Sequence, residues 1–223
     1  DEKVEVKPCP PHLKNTVHVS GFSEERLKLK HPGTKARVIE MLEKQIVTKD
    51  VLEEVPWIET DGEKYFSADG EFQKIAVIER HKNTGKMGVG IVKGYGIRGG
   101  AIASSVSHDS HNIIVVGDND HDMALAVKEM MRTQGGYTLV CNGEIYGTLP
   151  LPVMGLMSDA GYESVNEALA RMIPKAHEMG VKEGFDPFIT LSFMALPVIP
   201  EIRITPRGIY LVNEDRMLRT PFS

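Results

Sequence analysis

The sequence predicts a mixed α/β (α+β) domain, with a mixed, largely antiparallel sheet and two main helices. Three observations lead there. Short runs rich in Ile and Val, such as Lys74–Glu79 and Ala101–Ser107, suit a sheet interior. Asn142-Gly143 between two apolar runs is a type I′ hairpin signal, and hairpin signals outnumber strand–helix–strand ones. Asp118–Gln134 and Ser164–Met179 carry apolar stripes at helical spacing behind capping residues.

Composition bounds the function. A chain of 223 residues fits one ordinary domain, or one domain with an appended segment. Its 41% hydrophobic content supports a real core, and its net charge of −5 argues against a nucleic-acid partner. Cys9 and Cys141 alone make no disulfide framework. No apolar run approaches the roughly 20 residues that cross a bilayer, and DEKVEVKPCPPH has no apolar signal core. The expectation is a soluble cytoplasmic protein with no membrane partner.

In chain order, Pro8-Cys9-Pro10-Pro11 reads as a linker or an extended strand edge, because each proline fixes its own backbone and removes a donor. Asn15–Ser20 alternates like a half-buried strand, and Leu27 and Leu29 anchor the charged stretch after it. The opening is expected to join this domain to another. Lys35–Leu42 and Gln45–Thr48 resemble paired strands, and Lys49–Val55 a third strand or a short helical turn. Trp57 precedes a polar hairpin-like connection over Glu59–Gly70. Lys74–Glu79 then runs into Arg80-His81-Lys82, three potential cations at a strand end.

Seven glycines crowd Gly85–Gly100. Gly94-Tyr95-Gly96 opens like a nucleotide loop, but no helix pattern follows, so the glycines are expected to let strands bend or backbones approach. Asp118, Asn119, Asp120 and Asp122 start a helix by capping it, and Gly135-Gly136 is expected to end it. The same acidic cluster lacks the Gly and Glu that an EF-hand loop requires. Leu149–Ser158 is extended by its prolines. Ser164 and Glu167 form a capping box, Pro174 kinks the helix, and Gly180 stops it. Ile202–Ile204 and Gly208–Val212 close as a last strand pair.

The sharpest feature lies between Ala101–Ser107 and Asn112–Val116, where His108, Asp109, Ser110, His111 and Asn112 follow one another. Two imidazoles that titrate near neutrality, beside a carboxylate, exceed what a turn requires. The bland alternative is a turn whose Asp, Ser and Asn bond their own backbone. The sharp reading makes His108, Asp109 and His111 a functional cluster. His108 and His111 are then candidate metal ligands, with His81 from the neighbouring strand end a further one. Ala103, Ser104 and Ser105 are small enough to let another surface come close.

IVKGYGIRGGAIASSVSHDSHNIIVVGDNDHDM, together with LPLPVMGLMS and DPFITLSFMALPVIPEIRIT, resembles the C-terminal domain of bacterial and archaeal adenine deaminases. The likeness runs in order from about Lys74 to Thr205, and parts of Val38–Pro56 resemble the piece joining that domain to a catalytic barrel. It implies a division into residues 1–70, a linking β segment, and residues 71–223, the domain proper. The resemblance further implies an amidohydrolase of purine salvage whose barrel holds a divalent metal: manganese or iron, with zinc compatible. Water activated there attacks C6 of adenine and yields hypoxanthine and ammonia. The barrel's His-x-His motif is absent, since no two of the eight histidines stand two apart. The catalytic residues are therefore unknown from this chain, which is expected to be inactive alone. Its partners are an amidohydrolase barrel domain or chain and a second subunit in a homo-oligomer such as a dimer. Leu149–Ser158 and Asp186–Pro200 are expected to be buried by those contacts, and His108, Asp109 and His111 to face the barrel's site. The alternatives are a stand-alone purine-binding or metal-binding module and an independent metal hydrolase centred on His108 and His111.

Overall fold

The computed structural model describes residues 9–223. Pro8 and the residues before it, part of the opening read above, lie outside the described residues. Pro11–Leu13 forms one 3₁₀ turn. In chain order, β1 (Ala36–Met41) and β2 (Thr48–Glu53) pair antiparallel, and β3 (Trp57–Thr60) and β4 (Glu63–Phe66) form a separate hairpin. Then come β5 (Phe72–Ile78), β6 (Met87–Lys93), β7 (Gly100–Ser104) and β8 (Ile113–Gly117). Helix α1 (Asp120–Thr133) leads to β9 (Gly136–Cys141) and β10 (Glu144–Pro150). Helix α2 (Tyr162–Glu178) and the single turn α3 (Ile189–Ser192) precede β11 (Ile202–Thr205), β12 (Gly208–Leu211) and β13 (Arg216–Leu218).

Eight strands make the central sheet in the order β10-β9-β7-β8-β5-β6-β1-β2. Its pairings are antiparallel except β1 with β6. The fold class is therefore the expected one. Alternation along each central strand feeds two cores. Ile75, Val77, Ile102, Ile114 and Val116 face the layer of α2, α3 and β11–β13. Ala76, Ile78, Ala101, Ala103, Ile113 and Val115 face α1 and the opening segment, including Leu27 and Leu29. A sheet covered on both faces explains why these strands read as continuous apolar runs.

Several elements differ from expectation. Asn15–Ser20 joins no sheet; Val17 and His18 instead bond Gln134 and Arg80 one at a time. Gln45–Val47 forms no strand, and a single strand, β2, starts at Thr48 and takes up the Lys49 stretch. The last strand pair gains β13, so β11–β13 form a second sheet, and β3–β4 a third. The capping box is not formed: α2 begins after Gly161, and the Ser164 hydroxyl donates to Ala160 O at 3.2 Å. Helix α2 runs through Pro174 and ends before Gly180. At α1 the cap forms as expected, with Asn119 Oδ1 accepting from Asp122 N–H at 2.8 Å. Its left-handed residue is Gln134 (φ 60°), one place before the expected glycines.

The glycine cluster serves close packing. A Cβ on Gly88 would stand 2.1 Å from Thr205 O, because β6 lies directly against the β11–β12 turn. Gly88→Ala must push those backbones apart, at a cost of about 1–3 kcal/mol. For a chain of this size that corresponds to a fall in melting temperature of roughly 3–10 °C. Calorimetry checks it, and an unchanged midpoint contradicts the packing.

Candidate functional site

The antiparallel register pairs Ile78 with Ile113, so the end of β5 meets the start of β8. That places Arg80-His81-Lys82 beside the His108–Asn112 turn. Arg80 is buried, and its guanidinium fans across three backbone carbonyls. Nε–H donates to His111 O, Nη1 to Thr16 O at 3.4 Å and Nη2 to Met154 O at 3.0 Å. Its own N–H donates to Asn112 Oδ1 (3.3 Å), and its carbonyl accepts from His18 N–H (2.7 Å). Burial lowers its pKa to about 10, which leaves it charged at neutral pH. Gly155 must be glycine here: its φ is +71°, and a Cβ would lie 2.8 Å from Arg80 Nη1.

His111, at φ 50°, is part of this frame. Its N–H donates to Ser107 O at 2.5 Å, and its Nδ1 accepts from Ser107 N–H at 3.3 Å. The proton therefore sits on Nε2. Burial first, then the charges of His108 and Arg80, push this imidazole below its ordinary 6.5. His108 is placed differently. Its N–H donates to Ser192 O at 2.9 Å, and its ring stacks on Phe193 with centroids 5.5 Å apart. The side chain is 42% exposed, and the Asp109 carboxylate beside it is 87% exposed, 3.8 Å from His108 Nδ1. The two histidine rings stand 5.5 Å apart. His81 Nε2–H donates to Ser110 O at 2.6 Å, which brings the fourth candidate to the same corner.

All four expected site residues thus converge, but they do not assemble a metal centre alone. Among the described residues no group of three or more His, Cys, Asp or Glu side chains is placed to hold an ion. His111 Nδ1 and His81 Nε2 are each engaged in a hydrogen bond, and a resident metal needs at least three ligands. Ala103, Ser104 and Ser105 do not form the open approach surface expected from their small size; all three are buried. The Ser105 hydroxyl donates to Gly155 O (2.6 Å) and accepts from Gly136 N–H (2.7 Å). Sequence reasoning noticed Arg80 as a cation but missed its burial. It also passed over Phe193 and Met154.

Residues 45–216 match the family model described as the adenine deaminase C-terminal domain. The chain belongs to that family. An adenine deaminase from Desulfitobacterium hafniense (strain Y51) is 48% identical over 219 residues, 98% of this chain but 38% of its own length. One from Nitratidesulfovibrio vulgaris (strain DP4) is 45% identical over 91% of this chain and 35% of its own. One from Bacillus subtilis (strain 168) is 42% identical over 93% and 34%. The chain therefore spans little more than a third of such relatives. No helix among the described residues is long and apolar enough to cross a membrane.

Glu79 braces the corner from the other side. Burial alone would raise its pKa, but the N–H groups of Thr84, Lys82 and His81 and the Thr84 hydroxyl hold it at about 2 against an ordinary 4.5. A depressed carboxylate contributes stability that is present above pH 4.5 and is lost as pH falls toward 2. Glu79→Gln should flatten the acid limb of a stability-versus-pH curve over that window. Urea melts from pH 5 to pH 2 read it, and an acid limb as steep as the parent's contradicts the bracing.

Proposed function

We propose that this chain is the C-terminal part of an adenine deaminase, a cytoplasmic hydrolase of purine salvage that converts adenine to hypoxanthine and ammonia. The observation that carries this reading is joint. Relatives named adenine deaminase match nearly the whole chain yet are more than twice its length, and the chain's own histidine cluster lacks a complete ligand set. The chemistry belongs to an amidohydrolase barrel in the remaining part, and the isolated chain is inactive. A divalent metal in that barrel, manganese or iron with zinc compatible, would acidify a water and stabilise the charge developing on the purine. The whole enzyme is a homo-oligomer.

In this reading His108 and Asp109 are the groups presented to the barrel's mouth. His108 stacks on Phe193, and among the described residues its ring makes no hydrogen bond to another residue. His111 is a positioning residue: its ring and carbonyl hold the turn that presents His108.

The two histidines therefore separate experimentally. In the full-length enzyme, His108→Ala should lower adenine turnover at least about tenfold through lost positioning at the reacting group, with melting temperature and metal content unchanged. His111→Ala should lower the melting temperature first. Full turnover in the His108 variant contradicts the reading, and loss of metal from both variants reassigns the pair as ligands.

A further inference from the structure

The glycine-rich run that ends at Gly100 borders a cleft of about 500 Å3 at the start of β7, while the His108–Asn112 turn lies beyond the other end of that strand. The floor of the cleft is backbone. A Cβ on Gly96 would stand 2.4 Å from Gly180 O, and one on Gly180 would stand 2.6 Å from Gly96 O, so the two segments touch with no side chain between them. The N–H groups of this floor are already engaged. Gly96 donates to Gln73 Oε1, Gly99 to Asp118 Oδ2, Gly180 to His177 O and Lys182 to Tyr95 O. Recognition in the cleft therefore falls to side chains.

Three cations line it, Arg98, Lys175 and Lys182, against one carboxylate, Glu178. Lys175 Nζ pairs with Glu178 at 3.1 Å, and Lys182 Nζ lies 3.8 Å from Glu43, which borders the adjoining hollow. Pairs of this kind at the surface are weak, so both ammonium groups can turn to a stronger anion. Arg98 is exposed, and among the described residues its guanidinium has no carboxylate or carbonyl partner. It is nevertheless held in place. Gly70, at φ +94°, lies against it, and a Cβ there would stand 2.7 Å from Arg98 Nε. On its stem side Arg98 Cγ lies against Gly180. A planar fork fixed over a concave floor with an excess of positive charge suits a tetrahedral oxyanion, which it can grip with two parallel hydrogen bonds. The cleft is larger than a phosphate ion and leaves room for an organic part. The chain's net charge of −5 disfavours a long polyanion. We propose that this cleft binds the phosphate group of a small molecule through Arg98, with Lys175 and Lys182 completing the charge. The site is separate from the deamination proposed above, and adenine, which carries no phosphate, is not its ligand.

Cys141 lines the same cleft as a free, half-buried thiol, and its alkylation reports on the cleft directly. The full-length polypeptide is treated with iodoacetamide at constant ionic strength, with inorganic phosphate, adenosine monophosphate or adenine present. Peptide mass spectrometry follows Cys141, with Cys9, which does not line the cleft, as the internal control. Bound phosphate should slow alkylation at Cys141 at least about tenfold at saturation and leave Cys9 unchanged. Arg98→Gln should raise the half-protecting concentration at least about tenfold, with an unchanged melting temperature. Equal protection by the two phosphates assigns the free anion, and tighter protection by adenosine monophosphate assigns an ester; either supports the site. No protection by either up to about 10 mM overturns it. Protection by adenine, equal slowing at Cys9, or protection that survives Arg98→Gln overturns it as well. If Arg98→Gln lowers the melting temperature, Lys182→Gln decides instead: protection weakened at least about threefold supports the site, and unchanged protection overturns it.

Discussion

The candidate site depends on a buried cation that holds backbone. Moving a guanidinium out of water costs several kcal/mol after relaxation. Hydrogen bonds from a charged donor contribute about 1.5–3 kcal/mol each, so three side-chain bonds roughly offset that cost. The balance leaves little net stability but much specificity. Each carbonyl that Arg80 holds comes from a different irregular segment, at Thr16, His111 and Met154. Arg203 repeats the device between β11 and the residues leading into β2. It is also fully buried, donates to the carbonyls of Ile46, Pro200 and Ile202 and to the Thr48 hydroxyl, and has a pKa lowered by burial to about 10. Among the described residues neither arginine pairs with a carboxylate. The planar fork suits both places because it reaches several acceptors from one stem, where a lysine ammonium would act as a point charge.

What was readable in the sequence was local. Asn142-Gly143 supplies two positive φ angles and a hairpin follows. Asn119 caps α1 through a hydrogen bond three residues away. The β7–β8 pair carries its burial in its Ile and Val content. What was unreadable depends on distant partners. Asn15–Ser20 has a strand's alternation, yet its backbone partners are Arg80 and a Gln134 side chain, which no pattern of its own signals. Arg80 looked like a surface cation because its acceptors are carbonyls, and every residue type carries one. Ser164 and Glu167 had the letters of a capping box, but α2 starts earlier, at Tyr162. For the site, the cluster at His108, Asp109 and His111 was visible, whereas the division between an outward His108 and an inward His111 required the surroundings.

In the proposed function, that division is what the domain contributes. The sheet fixes the ends of β5 and β8, Arg80 locks the turn between β7 and β8 against two loops, and the His108 imidazole with the exposed Asp109 carboxylate stands at the tip. Under that proposal, a rigid base of this kind holds the groups that meet a reaction centre elsewhere.

The most direct test is the exchange of the Arg80 Nε proton in ¹⁵N-labelled protein near neutral pH. A guanidinium donating from a buried position to the His111 carbonyl should show a resolved Nε–H resonance whose exchange with water is slowed by orders of magnitude relative to the surface arginines. Exchange as fast as theirs would show that the clamp does not hold, and with it would go the fixed placement of His108 and His111.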